Sequence, residues 1–313
     1  MGKTAFVFPG QGAQAVGMGK DALHIPAVKQ LFEAADEAVG YALSGIVFDG
    51  PEEALRSTAN TQPALLTTSL AYLAAFREAG GAKLTPDYVA GHSLGEWTAL
   101  AAAGALTPAE AARLVHMRGR YMEEAVPGGL GAMAAVLGAE RDALRELCEA
   151  VTAEGGRVEL ANVNCPGQIV VSGTKEGVDA VVARGKEAGA KRVIPLEVSG
   201  PFHSSLMQPA AARLEDLLGT VNVAAPAVPV VANVTAEPVT SPDDIRHLLV
   251  QQVCAPVLWE DSVQRLIALG VDTFVEFGPG SVLSGLIKKI DKSVRIVTVN
   301  SVEAAEAAVQ ALR

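Results

Sequence analysis

Tyr88-Val89-Ala90-Gly91-His92-Ser93-Leu94-Gly95-Glu96-Trp97 is the stretch that decides the fold. A short apolar run of β type ends in Gly91-His92-Ser93-Leu94-Gly95, and a helical pattern over 96–103 follows. Strand, sharp turn and helix in that order are what a G-x-S-x-G nucleophile elbow requires. Its glycines let the backbone reverse tightly and keep side-chain bulk out of the turn. The serine hydroxyl is left at a helix N-terminus, where unpaired N–H groups and the positive end of the dipole favour a developing oxyanion. Ser93 and Glu96 also fit a capping box, so those two residues alone describe an ordinary helix start. The preceding strand and both glycines favour the nucleophile.

Outward from the elbow, buried strands are expected at 5–8, 228–231, 273–277 and 296–299, each bounded by Gly or Pro. Helical periodicity fills most of the intervals, as at 26–39, stopped by Gly40, and 64–79, stopped by Gly80 and Gly81. The alternation predicts an α/β protein whose parallel sheet is covered on both faces. Residues 128–198 read differently. Strands near 132–137, 158–163, 168–172 and 192–196, with helices at 141–153 and 175–188, give the β-α-β-β-α-β order of a ferredoxin-like unit. The expected organisation is a discontinuous, α/β-hydrolase-like large domain, 1–127 and 199–313, interrupted by a ferredoxin-like small domain at 128–198. The active site should lie in the cleft between them.

The 313 residues include 25 Lys and Arg against 35 Asp and Glu, a net charge of −10. That balance argues against nucleic acid, whose phosphates need a basic surface. Cys148, Cys165 and Cys254 are odd in number and far apart, so they offer neither a disulfide framework nor a C-x-x-C metal or redox pair. No apolar stretch approaches the ~18 residues of a membrane span without a charge, Gly or Pro, and the run at 4–10 is too short for a signal peptide. The sequence therefore predicts a cytoplasmic protein that binds neither membrane nor nucleic acid, with a monomer as the expected state.

A serine nucleophile needs a base, and five histidines permit elimination. His92 adjoins the serine on the elbow and should point away from it. His116 and His247 share helix faces with charged or polar residues and should face solvent, while His24 lies in an irregular stretch before Pro26. His203, in Ser199-Gly200-Pro201-Phe202-His203-Ser204-Ser205, follows the last small-domain strand and precedes a helical run, which makes it the candidate base. A histidine merely hydrogen-bonded at a helix start is the alternative.

Arg118 interrupts the apolar stripe Ala111, Leu114, Val115, Tyr121 and Met122 of a helix opened by Thr107-Pro108-Ala109-Glu110. A guanidinium there needs a partner or a way to water: a buried Asp or Glu, snorkelling to the rim, or the carboxylate of a substrate gripped by a bidentate fork. Gln252 shares a helical face with Ile245, Leu248 and Leu249 and should point inward. The loop Phe8-Pro9-Gly10-Gln11-Gly12-Ala13-Gln14-Ala15 fits a dinucleotide fingerprint only formally, because Gly17 and Gly19 are poor for the helix that should follow. Presenting Gln11 or its backbone N–H to an oxyanion above Ser93 suits the loop better.

Together these residues resemble the malonyl-CoA:acyl carrier protein transacylases of fatty acid synthesis and, more distantly, the acyltransferase domains of polyketide synthases. The resemblance runs along essentially the whole chain. It includes Gly10-Gln11-Gly12-Ala13-Gln14, Asn60-Thr61-Gln62-Pro63, the elbow through Glu96, Arg118, and Asn162-Val163-Asn164. Gly200-Pro201-Phe202-His203-Ser204, Gln252 and Glu276-Phe277-Gly278-Pro279-Gly280 complete it. It implies Ser93 as the acylated nucleophile and His203 as its base, oriented by the Gln252 backbone carbonyl. Gln11 and the Leu94 N–H would form the oxyanion hole, and Arg118 would grip the malonyl carboxylate. Gln62, Asn162 and Asn164 join them as substrate-binding candidates.

The implied partners are malonyl-CoA and acyl carrier protein, with CoA a substrate and neither cofactor nor metal required. An acidic chain meeting an acidic carrier needs a local basic patch for docking. Lys288, Lys289, Lys292 and Arg295 form the densest one, and Lys191-Arg192 the second. Two other classes remain open. A serine esterase or thioesterase would share Ser93 and His203 but has no use for Arg118, and a nicotinamide-dependent oxidoreductase would use the 10–15 loop and ignore the elbow.

Overall fold

Ala5-Phe6-Val7-Phe8 shows at once how the sheet is covered: Phe6 and Phe8 pack into one hydrophobic cluster, Ala5 and Val7 into another on the opposite face. The computed structural model describes residues 2–313, so Met1, at the head of the expected large domain, lies outside the described residues. Among these, eleven strands form two sheets: β1 (Lys3–Phe8), β2 (Tyr88–Gly91), β3 (Gly131–Leu137), β4 (Val158–Cys165), β5 (Gln168–Thr174), β6 (Arg192–Pro195), β7 (Val230–Val231), β8 (Pro238–Val239), β9 (Val257–Leu258), β10 (Val271–Phe277) and β11 (Arg295–Val299). No helix among the described residues is long and apolar enough to cross a membrane.

The first sheet runs β11-β10-β1-β2-β7-β8. Its pairs are parallel except β7 with β8, an antiparallel edge that the expectation of a parallel sheet did not include. Phe6, Phe8, Phe76 and Phe277 meet on one face with ring centroids 4.8 to 6.0 Å apart. Phe76 ends the helix Thr58–Phe76, which begins well before the expected residue 64 and carries Pro63 inside it. Proline has no N–H to offer the carbonyl four residues back. That carbonyl, on Ala59, instead lies 2.9 Å from His116 Nδ1. His116 is accordingly half-buried against Tyr41, where the sequence had suggested a solvent-facing position. Gly119 permits the close crossing of these helices, since a Cβ there would stand 2.7 Å from the Thr58 carbonyl oxygen.

The second sheet runs β6-β3-β5-β4-β9. The expected order appears along the chain: β3, helix Arg141–Ala153, β4, β5, helix Lys175–Arg184, β6. The fifth strand, β9, comes from beyond residue 198 and pairs in parallel with β4, so the sheet is not closed within 128–198. Val257 and Trp259 carry this junction into the core beside Cys165. The register of β4 shifts between Leu160 and Asn162, and that irregularity matters for function. Residues two apart on a regular strand share a face. Here Leu160 packs toward the covering helices while Asn162 lines the cleft, because the bulge reverses the alternation.

Candidate active site

Parallel β1, β2, β7 and β10 end at one edge of the first sheet, and the segments leaving them carry Gln11, Ser93, Asn233 and Gly278. Crevices at the carboxyl ends of parallel strands are where α/β proteins bind ligands. Ser93 sits at φ 52° and ψ −107°, a conformation that strains a residue bearing a Cβ and persists only when its surroundings enforce it. The glycines are part of that enforcement. A Cβ on Gly91 would lie 1.9 Å from the Gly95 carbonyl oxygen, and one on Gly95 would lie 2.0 Å from that of Phe8.

The capping box does not form, because the Ser93 side chain accepts no cap hydrogen bond. Instead the Ser93 N–H donates to Asn233 Oδ1 at 2.7 Å, and Asn233 Nδ2 donates to the Gly91 carbonyl at 2.7 Å. The Gly95 and Glu96 N–H groups donate to the His92 and Ser93 carbonyls at 2.9 and 3.0 Å. The Leu94 N–H, first of the helix Leu94–Ala102, has no acceptor among the described residues.

His203 Nε2 stands 2.7 Å from Ser93 Oγ, and His203 Nδ1 stands 2.8 Å from the Gln252 carbonyl oxygen. A carbonyl only accepts, so Nδ1 carries the proton and Nε2 is left to accept from the serine hydroxyl. Burial, followed by the nearby Arg118 cation, pushes the His203 pKa down to about 3, and the ring is neutral in the free protein. His92, the adjacent candidate, turns its Nε2 to Asn164 Oδ1 at 2.8 Å. His247 and His24 are exposed.

Arg118 is 1% exposed, and its recorded bonds all go to neutral groups: Gln62 Oε1 at 2.8 Å, Ser93 Oγ at 3.1 Å and Gln252 Oε1 at 3.0 Å. No carboxylate of the described residues forms an ion pair with it, and its Nε has no partner among them. Burial pushes its pKa down to about 10 while Glu96 opposes the fall, so it remains a cation at neutral pH.

The Gln252 side chain is the hub of this network. Besides accepting from Arg118, its Nε2 donates to the Ser93 carbonyl at 3.0 Å, Glu96 Oε2 at 2.7 Å and Asn233 Oδ1 at 3.1 Å. Glu96 is buried, also accepts the Asn233 N–H at 3.0 Å, and has its carboxyl raised by burial to about 7. Sequence reasoning expected Gln252 to point inward but gave a role only to its carbonyl; it read Glu96 only as a possible helix cap and missed Asn233. The available signal for Glu96 was a carboxylate among the apolar or small neighbours Trp97, Ala99 and Leu100; Asn233 offered none beyond its place after a β run.

These groups open on a cleft of about 560 Å³ between the two sheets, which gathers Gln11, Gln62, Ser93, Leu94, Arg118 and His203 on one side. Asn162 and Asn164 face them from the second sheet. The Gln11 side chain donates to Thr58 Oγ1 at 3.3 Å, while its backbone N–H has no acceptor among the described residues. No helix directly follows the 10–15 loop: turns lead only to a single 3-10 turn, Lys20–Ala22, so the helix N-terminus that a dinucleotide pyrophosphate requires is not formed there.

Lys288 and Lys289 lie outside the cleft lining. They are exposed at the far end of the helix Val282–Ile290, whose first turns supply Val282, Leu283 and Leu286 to the cleft. Lys289 Nζ donates to Gln168 Oε1, on the cleft wall, at 3.5 Å. Arg295 is drawn off to the Ala311 carbonyl.

A strained serine bonded to a buried neutral histidine, with a buried cation bonded to the same hydroxyl, is an arrangement suited to acyl transfer. Residues 5–310 match the acyl transferase domain family, and the chain belongs to it. It is 52% identical to the malonyl CoA-acyl carrier protein transacylase of Bacillus subtilis strain 168, over 100% of this chain and 98% of the relative. To the Escherichia coli K12 protein of the same name it is 46% identical, over 99% of this chain and 100% of the relative. The acyl-carrier-protein S-malonyltransferase structure from Bartonella henselae superposes with a TM-score of 0.95 at 44% identity, covering 100% of this chain and 99% of that one. A malonyl-transacylase solved in complex with its type II polyketide synthase acyl-carrier protein gives 0.95 at 43% identity, covering 99% of each.

Proposed function

We propose that this acyltransferase moves malonyl groups from malonyl-CoA to the phosphopantetheine thiol of acyl carrier protein in two mirrored half-reactions, supplying fatty acid synthesis. The observation that carries the reading is Arg118: a buried guanidinium with only neutral partners, bonded to the very hydroxyl that faces His203. An unpaired buried cation is expensive unless a substrate anion completes it. An esterase has no use for that cation, and the loop an oxidoreductase would need lacks its helix.

In the first half-reaction Ser93 Oγ attacks the thioester carbonyl as its proton passes to His203 Nε2. The oxyanion is held by the Leu94 and Gln11 backbone N–H groups. The tetrahedral intermediate collapses, the C–S bond breaks, and His203 returns the proton to the departing CoA thiol. In the second, the carrier thiol gives its proton to His203, attacks the malonyl ester on Ser93 and displaces the serine, which takes the proton back. Arg118 is the second cause of the low His203 basicity, so a substrate carboxylate that neutralises it makes His203 a better base as it binds. Gln62, Asn162 and Asn164 line the path as polar contacts for the acyl and pantetheine amides. The chemistry draws on the chain's own side chains, with CoA as substrate.

In this reading 1–127 with 199–313 form the α/β-hydrolase-like large domain and 128–198 the ferredoxin-like small one, in a monomeric cytoplasmic enzyme. Lys288 and Lys289, beside the cleft-lining helix, dock the acidic carrier. Initial rates measured with malonyl-CoA and carrier protein both varied should give parallel double-reciprocal lines. Intersecting lines would show that both substrates bind before any transfer, and would end the acyl-enzyme reading.

A further inference from the structure

Glu96 is a buried carboxylate beside the nucleophile to which the steps of acyl transfer assign no task. Its Oε2 accepts from the Asn233 N–H at 3.0 Å and from Gln252 Nε2 at 2.7 Å. At the other end of the same amide, Gln252 Oε1 accepts from Arg118 Nη2 at 3.0 Å. The amide dipole thus lies between a carboxylate and a guanidinium, and one orientation satisfies both. Turned over, its oxygen would face Glu96, the Ser93 carbonyl and Asn233 Oδ1, all acceptors, and its N–H groups would face a cation. The residue held in this way also supplies the carbonyl that orients His203. Asn233, tied to Glu96 through its N–H, holds the Ser93 N–H with its side chain.

We infer that Glu96 is a positioning residue: its negative charge locks the Gln252 amide, and through it the Arg118 fork and the His203 ring, in the geometry that acyl transfer needs. The inference rests on the roles proposed above for Ser93 and His203. The charged and titratable groups around the network are Arg118 from the helix Pro108–Glu124, His203 from the loop before Ser205, and His92 on the elbow. Burial raises Glu96 to about 7 and holds His203 near 3. Loss of rate on acidification through neutrality therefore belongs to Glu96. Once protonated, it no longer fixes the amide by charge or offsets the Arg118 cation from across that amide, and His203 becomes a weaker base.

The test is the pH dependence of kcat/KM for malonyl transfer in wild type, Glu96→Gln and Glu96→Asp, each first checked for a malonyl adduct after mixing with malonyl-CoA. Wild type should lose about 10-fold per pH unit below about pH 7, the signature of one essential deprotonated group. Glu96→Gln should be flat through that range, about 10- to 100-fold below the wild-type plateau, with the loss in kcat rather than KM. Glu96→Asp keeps a charge and should retain the acid limb, moved to lower pH. If Glu96→Gln fails to fold, the displaced limb of Glu96→Asp carries the test alone. A limb that stays in place in either variant would assign it to His203 and overturn the inference, as would a loss confined to KM. Absence of an adduct in wild type would instead overturn the acyl-enzyme reading on which it stands.

Discussion

Truncating Arg118 to alanine separates its service to a substrate carboxylate from any service to the fold. If the guanidinium pairs with the malonyl carboxylate, its loss strands that anion in the cleft, at a cost of about 2–5 kcal/mol. Malonyl transfer should fall by roughly 30-fold to several thousand-fold at about 1.4 kcal/mol per decade. A neutral acetyl thioester no longer has to bury an unpaired cation, so its rate should hold or rise, and the malonyl-to-acetyl ratio of initial rates should collapse. Parallel losses for both thioesters would mark Arg118 as structural. The two perturbed groups nearby also make opposite contributions to stability. His203 is depressed from 6.5 to about 3, so the unfolded chain binds a proton the native one refuses; that stability is present above pH 6.5 and lost as pH falls toward 3. Glu96 is raised from 4.5 to about 7, so its contribution is present below pH 4.5 and lost as pH rises through 7. Thermal midpoints should therefore fall less on acidification in His203→Gln than in wild type, and fall more in Glu96→Gln; the reverse order would contradict both protonation states. Ser93, His203 and Arg118 were legible because each breaks a local pattern: a serine between turn glycines, a histidine at a chain reversal, a charge in an apolar stripe. Asn233 breaks none, and its role exists only once β7 lies beside β2.

At the scale of elements, the elbow depends on backbone contact that no larger residue permits. Gly95→Ala would drive a Cβ against the Phe8 and Pro9 carbonyls, at 2.0 and 3.0 Å. Neither can yield without moving β1, so the protein should lose about 1–3 kcal/mol or more of stability in denaturant titration, and acylation with it. Gly45→Ala, in the helix Leu43–Asp49, meets only the Ala42 Cβ at 3.9 Å and should be neutral or stabilising by about 0.5–1 kcal/mol. Equal losses at both positions would remove the steric explanation. The helix Val282–Ile290 has two ends with two tasks, a cleft wall and an exposed lysine pair. Charge reversal at Lys288 and Lys289 should raise the KM for carrier protein and leave malonylation by CoA unchanged, whereas equal effects on both half-reactions would remove the docking claim. Helix Pro26–Val39 and helix Arg141–Ala153 have the bounds their periodicity gives, because each is an amphipathic surface helix. Thr58–Phe76 does not, since its residues are almost all buried and its proline is tolerated only through His116 from another helix. The reversal in β4 was equally invisible, as a bulge leaves no mark on alternation until the partner strand is present.

For the whole molecule, two sheets contribute opposite walls of one cleft: Ser93, His203 and Arg118 stand together on one, and Asn162 and Asn164 face them from the other. The β-α-β-β-α-β order within 128–198 was readable from the change of pattern, but not the strand β9 that joins the second sheet from beyond residue 198, since two residues carry no periodicity. The cleft brings Ser93 Oγ within hydrogen-bond distance of both His203 Nε2 and the Arg118 guanidinium, and the proposed reading makes these the acyl carrier, the base and the cation for the far end of the acyl group. The most direct measurement is the intact mass of the protein after brief mixing with malonyl-CoA, followed by a chase with thiol-bearing carrier protein. Wild type should gain one malonyl group, lose it to the carrier on the chase, and release little free malonate, while Ser93→Ala should gain nothing. Free malonate without an adduct, or an adduct that survives in Ser93→Ala, would contradict a malonyl-Ser93 intermediate.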